Sequence, residues 1–127
     1  MIKPRILLVD DDVALTRVLQ GSLEETQRYE VRTESNSRKV LGVAEDFRPD
    51  VMILDLLMPD MDGGELAVCL RTHPTLRNVR IVFLTAIISK DQLGPHGTTI
   101  GQHQILAKPV DTSELVECID RELTRAA

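Results

Sequence analysis

The chain has 127 residues, 43% of them hydrophobic, with a formal net charge of −5. That is the size of one ordinary domain with a real core, and residues 1–127 are expected to form one such unit. No apolar run approaches the ~20 residues that span a bilayer, and the charge balance, with no Lys/Arg cluster, argues against a nucleic-acid surface and against a membrane partner. Aromatics are few (Tyr29, Phe47, Phe83), so no base-stacking platform is available. Cys69 and Cys118 form no CxxC pair and fall in helical patterns. They read as free thiols of a reducing compartment, which makes a cytoplasmic location the expectation.

The elements follow in order. Arg5–Asp10 (RILLVD) is a buried strand, apolar without alternation, that ends in Asp10, Asp11 and Asp12. A helix follows, with Leu15, Val18, Leu19 and Leu23 at helical spacing and Asp12 as its cap. Tyr29–Arg32 reads as a short edge strand. Ser35 or Asn36 caps the next helix, with Val40, Leu41 and Ala44 on its apolar face and Phe47 near its end. Arg48-Pro49-Asp50 breaks it. Val51–Asp55 (VMILD) is a strand buried on both faces that ends on a carboxylate.

Turn-forming residues follow, with Asp62 as turn residue and cap, and Gly63 or Gly64 opens a helix through Leu66, Ala67 and Leu70 that stops near Pro74. Arg80–Thr85 (RIVFLT) is a third buried strand, ending in a hydroxyl. In the stretch Ile87–Gly101, Gly94, Pro95, Gly97 and Gly101 oppose a long helix, at about 1 kcal/mol per Gly and 3 per Pro. An irregular fourth helix is therefore expected, with residues 94–102 irregular. Gln104–Ala107 is the last strand, followed by Lys108-Pro109. Asp111 or Thr112 caps a closing helix bearing Leu115, Val116, Ile119 and Leu123, with Glu114 at capping-box spacing from Asp111.

Strand and helix alternate five times. This predicts an α/β fold: a doubly wound, five-stranded parallel sheet with helices on both faces. The flavodoxin-like order 2-1-3-4-5 places the three most apolar strands in the middle. Ligands of such sheets bind at the carboxyl ends of the strands. Those ends carry Asp10, Asp11, Asp55, Thr85 and Lys108. Crowded carboxylates repel one another unless a cation is present. Oxygen ligands without His or Cys suit Mg²⁺, and a hydroxyl and a lysine opposite suit phosphoryl oxygens. Each residue alone has an ordinary structural role; the complementary set at four strand ends points to a phosphoryl group held beside Mg²⁺.

ILLVDD (Ile6–Asp11), ILDLLMPDMDG (Ile53–Gly63), FLTA (Phe83–Ala86) and AKP (Ala107–Pro109) give the chain a resemblance to response-regulator receiver domains of two-component signalling. The resemblance covers essentially the whole chain. It implies that Asp55 is the phosphoacceptor, that Asp11 binds Mg²⁺ directly and Asp10 through water, and that the backbone carbonyl of Leu57 completes the protein ligands. Thr85 would hydrogen-bond the phosphoryl group and Lys108 would pair with it. The peptide before Pro109 would be cis. The partner would be a histidine kinase or a histidine phosphotransfer protein, and the product a signal to an output partner rather than enzymatic turnover.

Two departures from the family pattern stand out. Ile105 occupies the place, three residues before the lysine, where an aromatic switch is usual. Gly94-Pro95-His96-Gly97 and Gly101-Gln102-His103 replace a regular fourth helix and a Gly-Ala-rich lead into the last strand. The resemblance also ties the positions two beyond Asp55 and Thr85 to phosphate lifetime. Leu57 and Ile87 stand there, both apolar, which implies slow self-dephosphorylation unless Ile87 points into the core. One rival is a receiver-like binding module that is never phosphorylated. Another is an Asp-nucleophile phosphatase of the haloacid-dehalogenase type. That chemistry wants a second Asp two places after the first, where this chain has Leu57.

Overall fold

A computed structural model describes residues 2–93, 98–100 and 102–125. Six strands form one sheet: β1 (Arg5–Val9), β2 (Glu30–Glu34), β3 (Val51–Asp55), β4 (Arg80–Thr85), β5 (Thr98–Ile100) and β6 (His103–Ala107). The helices are α1 (Val13–Glu25), α2 (Val40–Phe47, preceded by a 3₁₀ turn at Ser37–Lys39), α3 (Gly63–Thr72), α4 (Lys90–Leu93) and α5 (Thr112–Thr124). The order across the sheet is β2-β1-β3-β4-β6-β5. Its five parallel strands keep the expected 2-1-3-4-5 arrangement, with β6 as the fifth.

The strand at Thr98–Ile100 is an addition to that expectation. It pairs antiparallel with β6, Thr98 opposite Ile105 and Ile100 opposite His103, and makes the sheet edge. So part of the 94–102 window is regular strand, where irregular chain was expected. Three consecutive β-branched residues favour an extended backbone, but a run that short beside glycines carries no readable alternation. The fourth helix is one turn, four residues long. Gly94 to Gly97, on which the argument against a long helix chiefly rested, lie outside the described residues.

Side chains alternate between two cores because successive strand residues point to opposite faces. Leu7, Val9, Met52, Leu54, Ile81, Phe83 and Ile105 face α2 and α3, packing with Ala44, Phe47, Leu66 and Leu70. Ile6, Leu8, Val51, Ile53, Val82, Leu84 and Leu106 face α1 and α5, packing with Leu19, Leu23, Leu115, Cys118 and Ile119. The consecutive apolar runs in β1, β3 and β4 are what burial on both faces demands. Ile105 is thus a core side chain. Cys69 and Cys118 are free, and burial pushes the Cys118 thiol up to about 12, so it is inert near neutral pH.

The helix starts are built by carboxylates, each accepting an N–H that has no partner within the helix. Asp12 accepts from Leu15 N at 3.1 Å, Asp62 from Glu65 N at 2.8 Å and Asp111 from Glu114 N at 2.8 Å. Asn36 caps the 3₁₀ turn through Arg38 N at 3.0 Å. The central strands therefore stop at fixed points, and their last residues face one another at the carboxyl edge.

Candidate functional site

The carboxyl edge gathers Asp10 and Asp11 after β1, Asp55 closing β3, Thr85 closing β4 and Lys108 after β6. Carboxylate oxygens of Asp10, Asp11 and Asp55 all lie within 4.8 Å of one another. Asp10 and Asp55 are buried and Asp11 is exposed. Lys108 reaches in from the far side. Its Nζ donates to Asp10 Oδ2 at 2.6 Å and lies 3.5 Å from Asp55 Oδ2.

Backbone donors orient both buried acids. Asp12 N donates to Asp10 Oδ1 at 2.9 Å, and Leu57 N donates to Asp55 Oδ1 at 3.2 Å. Asp12 itself is spent on capping α1 and, among the described residues, belongs to no group that could hold a metal. The buried Thr85 hydroxyl accepts from Ile87 N at 3.1 Å, which leaves its own O–H free to donate. The Thr85 carbonyl accepts from Lys108 N at 2.7 Å, so the two residues are tied by one backbone hydrogen bond. The peptide between Lys108 and Pro109 is cis, as expected.

Electrostatics follow from this packing. Burial first, then the neighbouring Asp10, pushes the Asp55 carboxyl up to about 6, although the Leu57 N–H and Lys108 pull the other way. For Lys108, burial works against the charged form, but the hydrogen bond and charge of Asp10, with Asp55 behind it, outweigh it and hold the ammonium above its ordinary value. Asp55 is thus a carboxyl in excess negative charge with one cation to share. Three converging oxygens and an acid strained by its neighbour are the donor set and the charge deficit that a hard divalent cation satisfies.

Two features were not foreseen from the sequence. Lys108 is held more closely by Asp10 than by Asp55, whereas the sequence reading gave it only a phosphoryl partner. Gly63 is the second. A Cβ there would press into the backbone carbonyl of Asp55, closer than real Cβ contacts come. Its N–H donates to the Leu56 carbonyl at 3.0 Å. Gly63 therefore lets α3 start directly against the end of β3 that Asp55 closes. Leu57 and Ile87 are 55% and 65% exposed, so Ile87 does not point into the core.

Comparison with known proteins agrees with this geometry. The family model for the response regulator receiver domain matches residues 6–120. The chain is 36% identical over 122 residues to the response regulator PleD of Caulobacter vibrioides, covering 95% of this chain and 26% of that protein. It is 27% identical over 123 residues to sporulation initiation phosphotransferase F of Bacillus subtilis, covering 97% and 96%. The chain spans about a quarter to a half of the length of most of the curated relatives it matches. Among solved structures, chemotaxis protein CheY4 of Vibrio cholerae superimposes with a TM-score of 0.80 at 29% identity, covering 95% of this chain and 99% of that one. A response regulator described as putative, from Chloroflexus aurantiacus, gives 0.82 at 31%, covering 98% and 100%. No helix among the described residues is long and apolar enough to cross a membrane.

Proposed function

Because the chain belongs to the response-regulator receiver family, a family of phosphorelay signalling, we propose that residues 1–127 act as one receiver unit in which Asp55 takes the phosphoryl group. The carrying observation is the meeting of Asp10, Asp11 and Asp55 oxygens within 4.8 Å, with Lys108 Nζ 3.5 Å from Asp55, at the carboxyl edge of the central strands. A histidine kinase or histidine phosphotransfer protein presents phosphohistidine. An Asp55 carboxylate oxygen attacks phosphorus in line; the P–N bond breaks and the imidazole leaves with its electron pair and takes a proton. The product on this chain is an acyl phosphate.

Asp10, Asp11, Asp55 and the Leu57 backbone carbonyl are the residues that would hold Mg²⁺. Bound there, the ion neutralises charge on the transferring phosphoryl oxygens. Lys108 pairs with another of those oxygens, and the Thr85 O–H donates to a third. Drawing Thr85 and Lys108 toward new charge pulls on the ends of β4 and β6 and biases a two-state equilibrium read by an output partner. The outcome is a signal, so the domain is a phosphoacceptor and not a turnover enzyme, and its reaction with a kinase fits a cytoplasmic setting.

The test is incubation with acetyl phosphate and Mg²⁺ followed by intact mass. The expected result is one added phosphate on the wild type and none on Asp55→Asn. An equal mass shift on the Asn variant would place the phosphate elsewhere, and no shift on either would favour an unphosphorylated binding module.

A further inference from the structure

An open apolar groove of about 430 Å³ runs beside α3 on the far side of the sheet from α1 and α5. Phe83 and Ile105, paired across β4 and β6, form its floor. Leu56 closes the end nearest Asp55, and Val68 stands at the wall, 64% exposed. The next helix along this face, α4, is a single turn. Arg71 and His103 line the groove, and no acidic side chain among the described residues does, although the chain carries 20 acidic against 15 basic residues. Arg71 is fixed there by donating Nη1 to the Arg77 carbonyl at 2.7 Å. The His103 ring is fixed edge-on to Phe83 at 5.4 Å.

We propose that this groove docks an apolar helix of a partner protein whose flank carries carboxylates. The apolar floor takes the helix's buried stripe, the usual helix-in-groove arrangement. The charge at the rim selects its sign: a carboxylate beside Arg71 meets a cation with no competing acid in the lining. A cationic or neutral flank gains nothing there. The groove also touches the phosphorylation machinery. Leu56 follows Asp55 in the chain, and Phe83 lies two residues before Thr85 on the same face of β4. Any shift of Thr85 toward a phosphoryl group moves the floor. By linkage, a helix seated on that floor then alters the ease of phosphorylation by the same factor that phosphorylation alters its binding. This coupling rests on Asp55 being the phosphoacceptor; the docking itself does not.

The probe is a fluorescein-labelled amphipathic peptide of about four turns, ~14 residues, with leucines at i, i+3, i+4 and i+7 and glutamates flanking them. A twin carries lysines in place of the glutamates. Anisotropy titrations use the whole chain without any phosphodonor. The expected result is that the glutamate peptide binds about tenfold tighter than its twin, equivalent to about 1.4 kcal/mol. Val68→Glu should weaken the glutamate peptide by a similar factor and Val68→Lys should not, a split that a purely structural defect would not produce. Equal binding of the two peptides, equal effects of the two substitutions, or no binding of either peptide would overturn the docking proposal, as would self-association through Val68. A second series adds acetyl phosphate and Mg²⁺ and verifies the phosphate by mass. Unchanged affinity on fully phosphorylated chain overturns the coupling. Failure to load phosphate overturns the phosphoacceptor reading and with it the coupling, while the docking still stands or falls on the donor-free titrations.

Discussion

Replacing Asp55 by Asn should stabilise the metal-free protein near neutral pH while abolishing phosphorylation. The cause is the crowding of Asp55 by burial and by Asp10, which pushes its carboxyl up to about 6 from an ordinary 3.8. An acid whose pKa is raised by folding binds its proton more tightly in the folded state. Its contribution to stability is therefore fully present below about pH 4 and is lost as the pH rises through about 6. At about 1.36 kcal/mol per unit, ionising Asp55 costs the fold about 3 kcal/mol at pH 7.5. The Asn amide keeps the shape and can still accept from Leu57 N through its oxygen, but it carries no charge. The expected gain is about 1–3 kcal/mol at pH 7.5, shrinking toward zero by pH 4 as wild-type Asp55 protonates. Urea unfolding of both proteins at pH 4.5 and 7.5 in EDTA measures it, and titrating groups away from Asp10, Asp55 and Lys108 cancel in the difference. A gain of the same size at both pH values, or a loss at pH 7.5, would refute the electrostatic account.

Mg²⁺ should raise the stability of the wild type by mass action on a site that only the folded chain assembles, which thermal melts against Mg²⁺ concentration would follow. Asp11→Ala should remove most of that gain. Asp12→Ala should leave it intact but cost about 1 kcal/mol in every buffer by uncapping α1. Lys108→Ala should still accept phosphate from a small donor, more slowly, with a weaker change in amide NMR shifts along β4 and β6 on phosphorylation. Gly63→Ala should destabilise by about 1–3 kcal/mol in urea unfolding, because the new Cβ must push α3 away from the Asp55 carbonyl. Leu57 and Ile87 both lie exposed on segments that leave the site, and neither can hold an attacking water by a hydrogen bond. Leu57→Asn with Ile87→Glu should speed phosphate release about tenfold, a barrier change of about 1.4 kcal/mol, followed after removing the donor.

Most of the sheet was readable because strands buried on both faces are continuous apolar runs, and in β1, β3 and β4 the run stops where the site begins. The caps were readable for a related reason: Asp12, Asp62 and Asp111 each precede a helix by one residue, and all three accept the expected N–H. What was not readable lacks periodicity or depends on distance in three dimensions. The edge strand Thr98–Ile100 is too short to alternate. β2 runs from Glu30 to Glu34, later than the Tyr29–Arg32 expected, because its polar edge residues carry no core signal and Tyr29 is buried just ahead of it. Gly63 was visible as a helix opener, but its contact with the Asp55 carbonyl belongs to the fold alone. Glu122 sits on the apolar face of α5, fully buried, where its Oε2 accepts from Gln104 Nε2 at 2.8 Å. A carboxylate among apolar positions does not announce an amide partner on a neighbouring strand.

On the receiver reading, the position of Lys108 would tie the metal and the switch together. One ammonium serves two buried carboxylates, and it is closer to Asp10 at 2.6 Å than to Asp55 at 3.5 Å. Taking the lysine away from Asp10 would leave a buried anion without its counter-charge, held by the Asp12 N–H, which is costly. The lysine is thus held back in the resting protein. Asp10, Asp11 and Asp55 would hold a divalent cation, whose charge would offset that of Asp10 in the ammonium's place. On the receiver reading, phosphoryl oxygens on Asp55 would then compete for the lysine on better terms. Lys108 would thereby be freed to move, and it is the side chain that would carry the event into β6, whose Ile105 floors the groove beside α3.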